Sequence, residues 1–572
     1  MKHTFILLLL AIFPIAIQAN NLSLPNGEGW GAAPNGAPAG APSFRNPILN
    51  MDVPDMALCH ANGYYYMVST TMHLMPGGPI MRSKDMKTWE TVSYVFESIN
   101  DGERYNLLNN KTVYGQGQWA SSIRYHKGKF YVWFTVNGAP GKGFIFCADK
   151  AEGPWKLIAR PPHHHDASLF FDDDGRVYLF HDHGAIQELQ TDLQDIKKDG
   201  LSINPLFERD EEEQGALLEG SQVFKHKGRY YLCMISMKWG ISDRYRREVC
   251  YRADSLTGPW EKKVIIESPF EEYGGVGQGC IVNGNSNAGD LDNDDDESNW
   301  WALMFQDRGG IGRVPCLLPC TWIDGWPMLG EYVGGDKLDK HSYKVPHDAS
   351  APKQDYSGIV GSDDFDGRST LNGEKLYWQW NHNPVAEGWS LTERPGWMRL
   401  KTTRVVQNLF VAPNTLTQRM TDYCSGEICI DISKMKDGDR CGLAAFNGDS
   451  GILSIEQENG RRSIVLTEEH SVFKQPRDID RVYVTVKEKI LLKKNIKKIY
   501  LRVTGDFRHQ KDVAMFAYSL DGKKWIDFNH EIKVPFDYRR FFMGTKFAIF
   551  NYATKQLGGY VDVDYFSLNI KP

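Results

Sequence analysis

Three carboxylates and one indole stand at nearly the same distance ahead of a recurring glycine. Asp55 lies 8 residues before Gly63, Trp119 lies 9 before Gly128, Asp166 lies 9 before Gly175 and Glu219 lies 9 before Gly228. Residues so registered would meet if each glycine opened the same strand of a repeated unit. Converging carboxylates repel, so the one with least solvent keeps its proton longest. One protonated and one ionised carboxyl are what glycoside cleavage needs: an acid for the leaving oxygen, and a base to activate water.

The element that would carry them is a short aromatic strand. It recurs as Gly63–Val68, Gly128–Trp133, Gly175–Phe180, Gly228–Cys233 and Asn299–Met304. The spacing is about 50 to 70 residues, in the range of four-stranded propeller blades. A second element follows several copies, in Ser83–Trp89, Ala148–Trp155 and Ala253–Trp260, and reads as the turn before an outer strand. The fold expectation is all-β: a five-bladed β-propeller followed by a β-sandwich. In the latter part, Gly426–Ser433, Arg481–Val486 and Val561–Phe566 alternate with period two over longer strands, as an antiparallel sandwich with one wet face per sheet does.

The domain expectation is a signal peptide over 1–19, a Gly/Pro/Ala-rich linker over 20–44, the propeller over 45–335, a linker over 336–362 and the sandwich over 363–572. The first segment has a charged start, an apolar run and a small-residue cleavage site ending at Ala19; it predicts export, to the periplasm or beyond. No later run approaches the roughly 20 apolar residues of a membrane span. A net charge of -6 offers no basic face for nucleic acid. Six of the ten cysteines lie within apolar strands, which favours buried thiols over a disulfide framework.

Other motifs carry less. His163-His164-His165-Asp166 has metal-ligand residue types, but neighbours on an extended chain face opposite ways and cannot all reach one ion. Asp290–Glu297 resembles a calcium loop, with Asp295 where the turn needs Gly, and reads as a solvated hairpin tip. No metal is assigned.

The ordered set Asn46–Leu49, Pro54-Asp55, Trp119–Tyr125, Asp166–Phe170, Leu218–Ser221 and Gly312–Pro315 resembles glycoside hydrolase family 43. Asn414–Arg419 and Gly438–Ala445 resemble that family's C-terminal concanavalin-like (jelly-roll) sandwich. The resemblance implies an inverting enzyme with Asp55 as general base, Glu219 as general acid, and Asp166 orienting the acid and tuning its pKa. It also implies sugar contacts from Trp119, Arg313, His73 and Gln278. It requires no cofactor; a structural calcium in the propeller channel is compatible with it, and no residue is assigned to one. Four prolines usual near these sites are replaced by Met56, Ser121, Ala167 and Ser221.

The texture of Ser69–His73 and Phe305–Gly309 is similar to the arabinofuranosidase-rich part of the family. The implied activity is exo-release of terminal α-L-arabinofuranose from plant cell-wall polysaccharide or oligosaccharide. A β-D-xylosidase is the alternative, and a non-catalytic carbohydrate-binding propeller is the alternative from another class.

Overall fold

A computed structural model describes residues 44–571 apart from 138–140, 239–244, 286–295, 368–370, 372, 374, 475–477 and 538–540. The expected signal peptide, most of the expected N-terminal linker and most of the calcium-like loop lie outside the described residues.

The chain is all-β. Five four-stranded antiparallel sheets follow one another, and their innermost strands are Ala57–Ala61, Gly117–His126, Ser168–Phe171, Ala216–His226 and Gly277–Asn283. Each of these touches the next, and the last touches the first, so the five blades close a ring. The repeated glycine sits in the turn from the innermost strand to the second. In blades 1, 2 and 4 the turn is Asn62-Gly63, Lys127-Gly128 and Lys227-Gly228, with positive φ at both residues. That is the two-residue hairpin turn whose twist matches the flanking strands. A side chain at any of these glycines would meet open space, so backbone conformation, not crowding, selects glycine. The second recurring element also stands where expected, with the outer strands beginning at Glu90, Lys156 and Glu261 directly after Trp89, Trp155 and Trp260.

Aromatic side chains fill the wedges between blades. Tyr66, Phe130, Phe134, Phe144 and Phe146 form the seam of the first two. An N-terminal strap closes the ring: Ile48 N–H donates to Pro315 O at 3.0 Å and Val53 N–H to Arg313 O at 2.9 Å. The strap thereby staples blade 5 to blade 1, immediately before Asp55.

The C-terminal part is two packed antiparallel sheets of eight and seven strands around a large apolar core. One strand of the eight-stranded sheet comes from the propeller: Leu74–Met75 pairs with Gln379–Asn381. None of the ten cysteines is in a disulfide, and nine of them are buried.

The seam between propeller and sandwich is charged as well as apolar. Asp52 in the strap is buried and accepts from the backbone N–H of Arg313 (3.1 Å) and of Gly544 (2.9 Å) and from Lys546 Nζ (3.2 Å). Burial pushes its carboxyl up, but Lys546 and Arg313 with the two amide donors outweigh that and hold it below the usual range.

Candidate active site

The three carboxylates come from the innermost positions of blades 1, 3 and 4, and each stands at a left-handed kink. Asp55 has φ 52°, Asp166 has φ 46°, and Gly220 beside Glu219 has φ 72°. Non-glycine residues in this region are uncommon, Asp being among those that tolerate it, and such outliers gather at functional sites. Here the kink ends or interrupts strand pairing. Glu219 stands at a bulge where its strand shifts register before Gln222. Trp119 lies within the equivalent bulge of blade 2, between Gln118 and Ser121. In blade 5 the same shift spans Gly277 and Gly279, with Gln278 at φ 60°. A bulge re-aims a side chain out of the ladder, so the shared sequence register becomes a shared direction.

Asp55 is almost wholly buried. Its Oδ2 accepts from Thr70 Oγ1 at 2.7 Å, and its Oδ1 pairs with Arg313 Nη1 at 2.6 Å. This double fix orients the carboxylate. The guanidinium of Arg313, itself fully enclosed, donates through Nη2 to Phe542 O at 3.1 Å and lies 3.9 Å from the centre of the Phe542 ring. Phe542 belongs to the sandwich, which thus completes the wall behind Asp55. Trp119, half-buried, lies with its ring 6.0 Å from that of Phe542.

Asp166 and Glu219 share a histidine. His165 Nε2 is 3.6 Å from Asp166 Oδ1 and 3.5 Å from Glu219 Oε2. The charge of Asp166 raises the imidazole most, burial opposes it, and Glu219 and Asp182 add to the rise, giving about 9. Burial drives Asp166 upward, and the charges of Glu219 and Asp55 drive it further against His165 and Arg313, to about 7. Burial raises Glu219 too, but His165, then Arg246 and His183, outweigh it and hold that carboxyl below its usual value. Their mutual charges favour the imidazolium of His165 and the carboxylate of Glu219, while burial and the neighbouring carboxylates favour the neutral form of Asp166.

These electrostatics bear on ion binding. His165, Asp166 and Glu219 offer ligand-type atoms all within 4.8 Å of one another. An imidazolium held between the two carboxyl groups keeps these atoms equally close. The histidine run is not a regular strand, since His165 and Asp166 form a turn; His164 packs edge-on against His181, at 4.2 Å between ring centres.

The remaining expected contacts divide. Arg313 reaches the site, but as the partner of Asp55. Gln278 reaches its floor: its backbone N–H donates to Glu248 Oε2 at 2.8 Å, and its side chain fills the space where a Cβ on Gly220 would go. His73 does not reach it. Its ring is fully buried, with Nε2 2.8 Å from Asn381 Oδ1 and Nδ1 accepting from Gly115 N–H at 3.1 Å. It ties the propeller to the sandwich, and the expected sugar contact is corrected to a seam contact. Sequence reasoning did not single out Thr70, His165, Arg246 or Phe542. The histidine was visible in its run, but only as a metal-type residue; Phe542 had no register to announce it.

Residues 44–327 match the family model described as Glycosyl hydrolases family 43, and residues 362–569 match the Beta xylosidase C-terminal Concanavalin A-like domain. A Beta-xylosidase of Formosa agariphila is 27% identical, over 92% of this chain and 90% of its own length. A non-reducing end alpha-L-arabinofuranosidase of Bacteroides ovatus is 27% identical, over 73% of this chain and 77% of its own. Among solved structures, a bifunctional GH43-CE chain of Bacteroides eggerthii superposes with TM-score 0.80 at 35% identity. That alignment covers 93% of this chain and 64% of the longer one, so this chain spans just under two thirds of that protein.

Proposed function

Because the chain belongs to glycoside hydrolase family 43, we propose that it releases terminal pentose from plant polysaccharide or oligosaccharide by single-step inversion. Asp55 draws the proton from water, Glu219 protonates the leaving oxygen, and Asp166 orients Glu219. The observation that carries this reading is the convergence of three carboxylates from three blades with unequal electrostatics. Asp55 accepts from Arg313 and Thr70 through both oxygens, an orientation that suits a base. Glu219 is the most exposed of the three side chains, at 22% against 3% and 5% for Asp55 and Asp166. An acid that must meet the leaving group needs that access.

Of the two sugars, we favour the β-D-xyloside. The arabinofuranoside expectation leaned on Ser69–His73 and Phe305–Gly309; of the first stretch Thr70 reaches Asp55 but His73 lies in the seam, and the Formosa agariphila relative is a Beta-xylosidase. The α-L-arabinofuranoside is the second reading, supported by the activity in the name of the Bacteroides ovatus relative. The N-terminal signal, and with it export, belongs to the same proposal, since an extracellular polymer is digested where it is met.

The test is turnover of chromogenic β-D-xyloside and α-L-arabinofuranoside side by side, with the anomeric configuration of the released sugar followed by NMR. Faster xyloside cleavage with inverted product is expected. Retained configuration would remove Asp55 from the role of base, and arabinofuranoside preference would reverse the ranking.

A further inference from the structure

The proposed acid poses a proton problem. Beside His165, Arg246 and His183, Glu219 is the ionised member of its cluster, and an ionised carboxylate has no proton to give. The nearest proton is on His165 Nε2, 3.5 Å from Glu219 Oε2.

We infer that His165 is the proton reservoir of Glu219: it holds the proton as imidazolium between the two carboxylates and passes it to Glu219 when substrate covers the site. This rests on the acid role proposed above. His165 then acts through Glu219, as a positioning residue that also sets the acid's protonation.

Three observations support the transfer. The ring is held in place, because its backbone carbonyl accepts from Asp182 N–H at 2.9 Å and its nitrogen faces both carboxylates. The His165 side chain keeps 27% of its exposure, against 5% for Asp166, so it can refill from solvent while Asp166 cannot easily do so. Burial is already the largest influence on Glu219 and pushes toward the neutral carboxyl. A sugar that displaces water from Glu219 strengthens this push, and a neutral imidazole–carboxylic acid pair is favoured over an ion pair as local dielectric falls.

The charges facing His165 are Asp166 and His163 from its own stretch, Asp182 from the turn after the second strand of blade 3, and Glu219 from blade 4. Arg246 and His183 add their influence on Glu219. Asp166, 3.6 Å from the same nitrogen, holds the ring about as closely as Glu219 does at 3.5 Å. The raised value of about 9 for His165 keeps the reservoir filled through neutral pH.

The cycle balances. The imidazolium N–H breaks as the Glu219 O–H forms. When the glycosidic C–O bond breaks, that proton goes to the leaving oxygen, and water adds its oxygen to the anomeric carbon as its proton goes to Asp55. Asp55 releases one proton to solvent and His165 takes one up, so the sum is hydrolysis.

The experiment compares kcat/KM against pH for a pentose disaccharide, whose leaving group needs a proton, and for the dinitrophenyl pentoside, whose leaving group does not. Wild type is expected to hold its disaccharide activity up to an alkaline limb near about 9. In His165→Gln the disaccharide rate should fall about 100-fold, the dinitrophenyl rate less than about tenfold, and the alkaline limb should move toward neutrality. His165→Asn is run beside it, with circular dichroism and melting to verify folding. A wild-type limb already at neutrality overturns the inference without any variant. So does equal loss on both substrates, or an alkaline limb that moves upward in His165→Gln, because then the histidine only depresses Glu219. A wild type inactive on both substrates overturns the pentosidase reading, and this inference falls with it.

Discussion

Two enclosed histidines make opposite use of burial. His165 at the mouth of the propeller is raised to about 9, with the charge of Asp166 the largest influence. His73 in the seam is lowered to about 3, because burial dominates and its neighbours are an amide, a backbone N–H and another histidine, His382, at 4.7 Å between ring centres. Enclosure alone drives an imidazole neutral; enclosure with carboxylates holds it charged. The mouth thus keeps unlike charges under tension for chemistry, while the seam removes charge or pairs it for cohesion.

The largest effect expected is at the mouth. Glu219→Gln keeps the size of the side chain and removes the proton donor, so turnover of an unactivated disaccharide should fall about 1,000-fold, about 4 kcal/mol of barrier. Its melting temperature should fall only slightly, because the attraction to His165, Arg246 and His183 that is lost on neutralisation is partly offset by relief of the carboxylate's burial. A clear loss of stability would break the comparison, as would release of sugar at the wild-type rate. At the seam the reverse is expected. Asp52→Asn leaves Lys546 buried with its carboxylate partner gone, at a cost of about 3 kcal/mol in unfolding free energy. Urea unfolding measures it, and an unchanged midpoint would mean that the pair contributes nothing net.

How far the sequence foretold this division follows from what kind of force positions each residue. The mouth acids were legible because the turn after each of their innermost strands needs positive φ, a two-residue turn in blades 1 and 4 and a longer one in blade 3; glycine answers that need, and counting back from it lands on each acid. Arg313 was legible by resemblance, but its ion pair with Asp55 joins residues 258 apart, a distance no local pattern encodes. His165 was dismissed with its neighbours because alternation on an extended chain rules out a shared ion, but the chain turns at His165-Asp166, and that turn brings the ring to the acids. His73 was misplaced because texture was read without a register. Phe542 was invisible: it comes from a sandwich loop, and only tertiary packing sets it on Arg313.

Phe542 belongs to both regions and so sharpens the line between them. Phe542→Ala removes the ring lying over Arg313 and beside Trp119 but leaves the carbonyl that accepts from Arg313. An aromatic–guanidinium contact of this kind is worth about 1 to 2 kcal/mol when desolvated, so kcat/KM should fall about tenfold. If the loss is in stability alone, the sandwich braces the propeller without shaping the site.

The pH dependence of melting separates the two histidines most directly. His73 has its pKa depressed from about 6.5 to about 3, so between those values the unfolded chain binds a proton that the folded chain does not. Its contribution to stability is present above 6.5 and is lost as pH falls toward 3. His165 is raised, so its contribution is present below 6.5 and is lost as pH rises toward about 9. Acid should therefore loosen the seam and alkali the mouth. His73→Asn should flatten the acid side of the melting profile and leave the alkaline side as it was, and His165→Gln should do the opposite. A profile in which either substitution flattens both sides would mean that propeller and sandwich share one electrostatic unit, and the contrast between mouth and seam would dissolve.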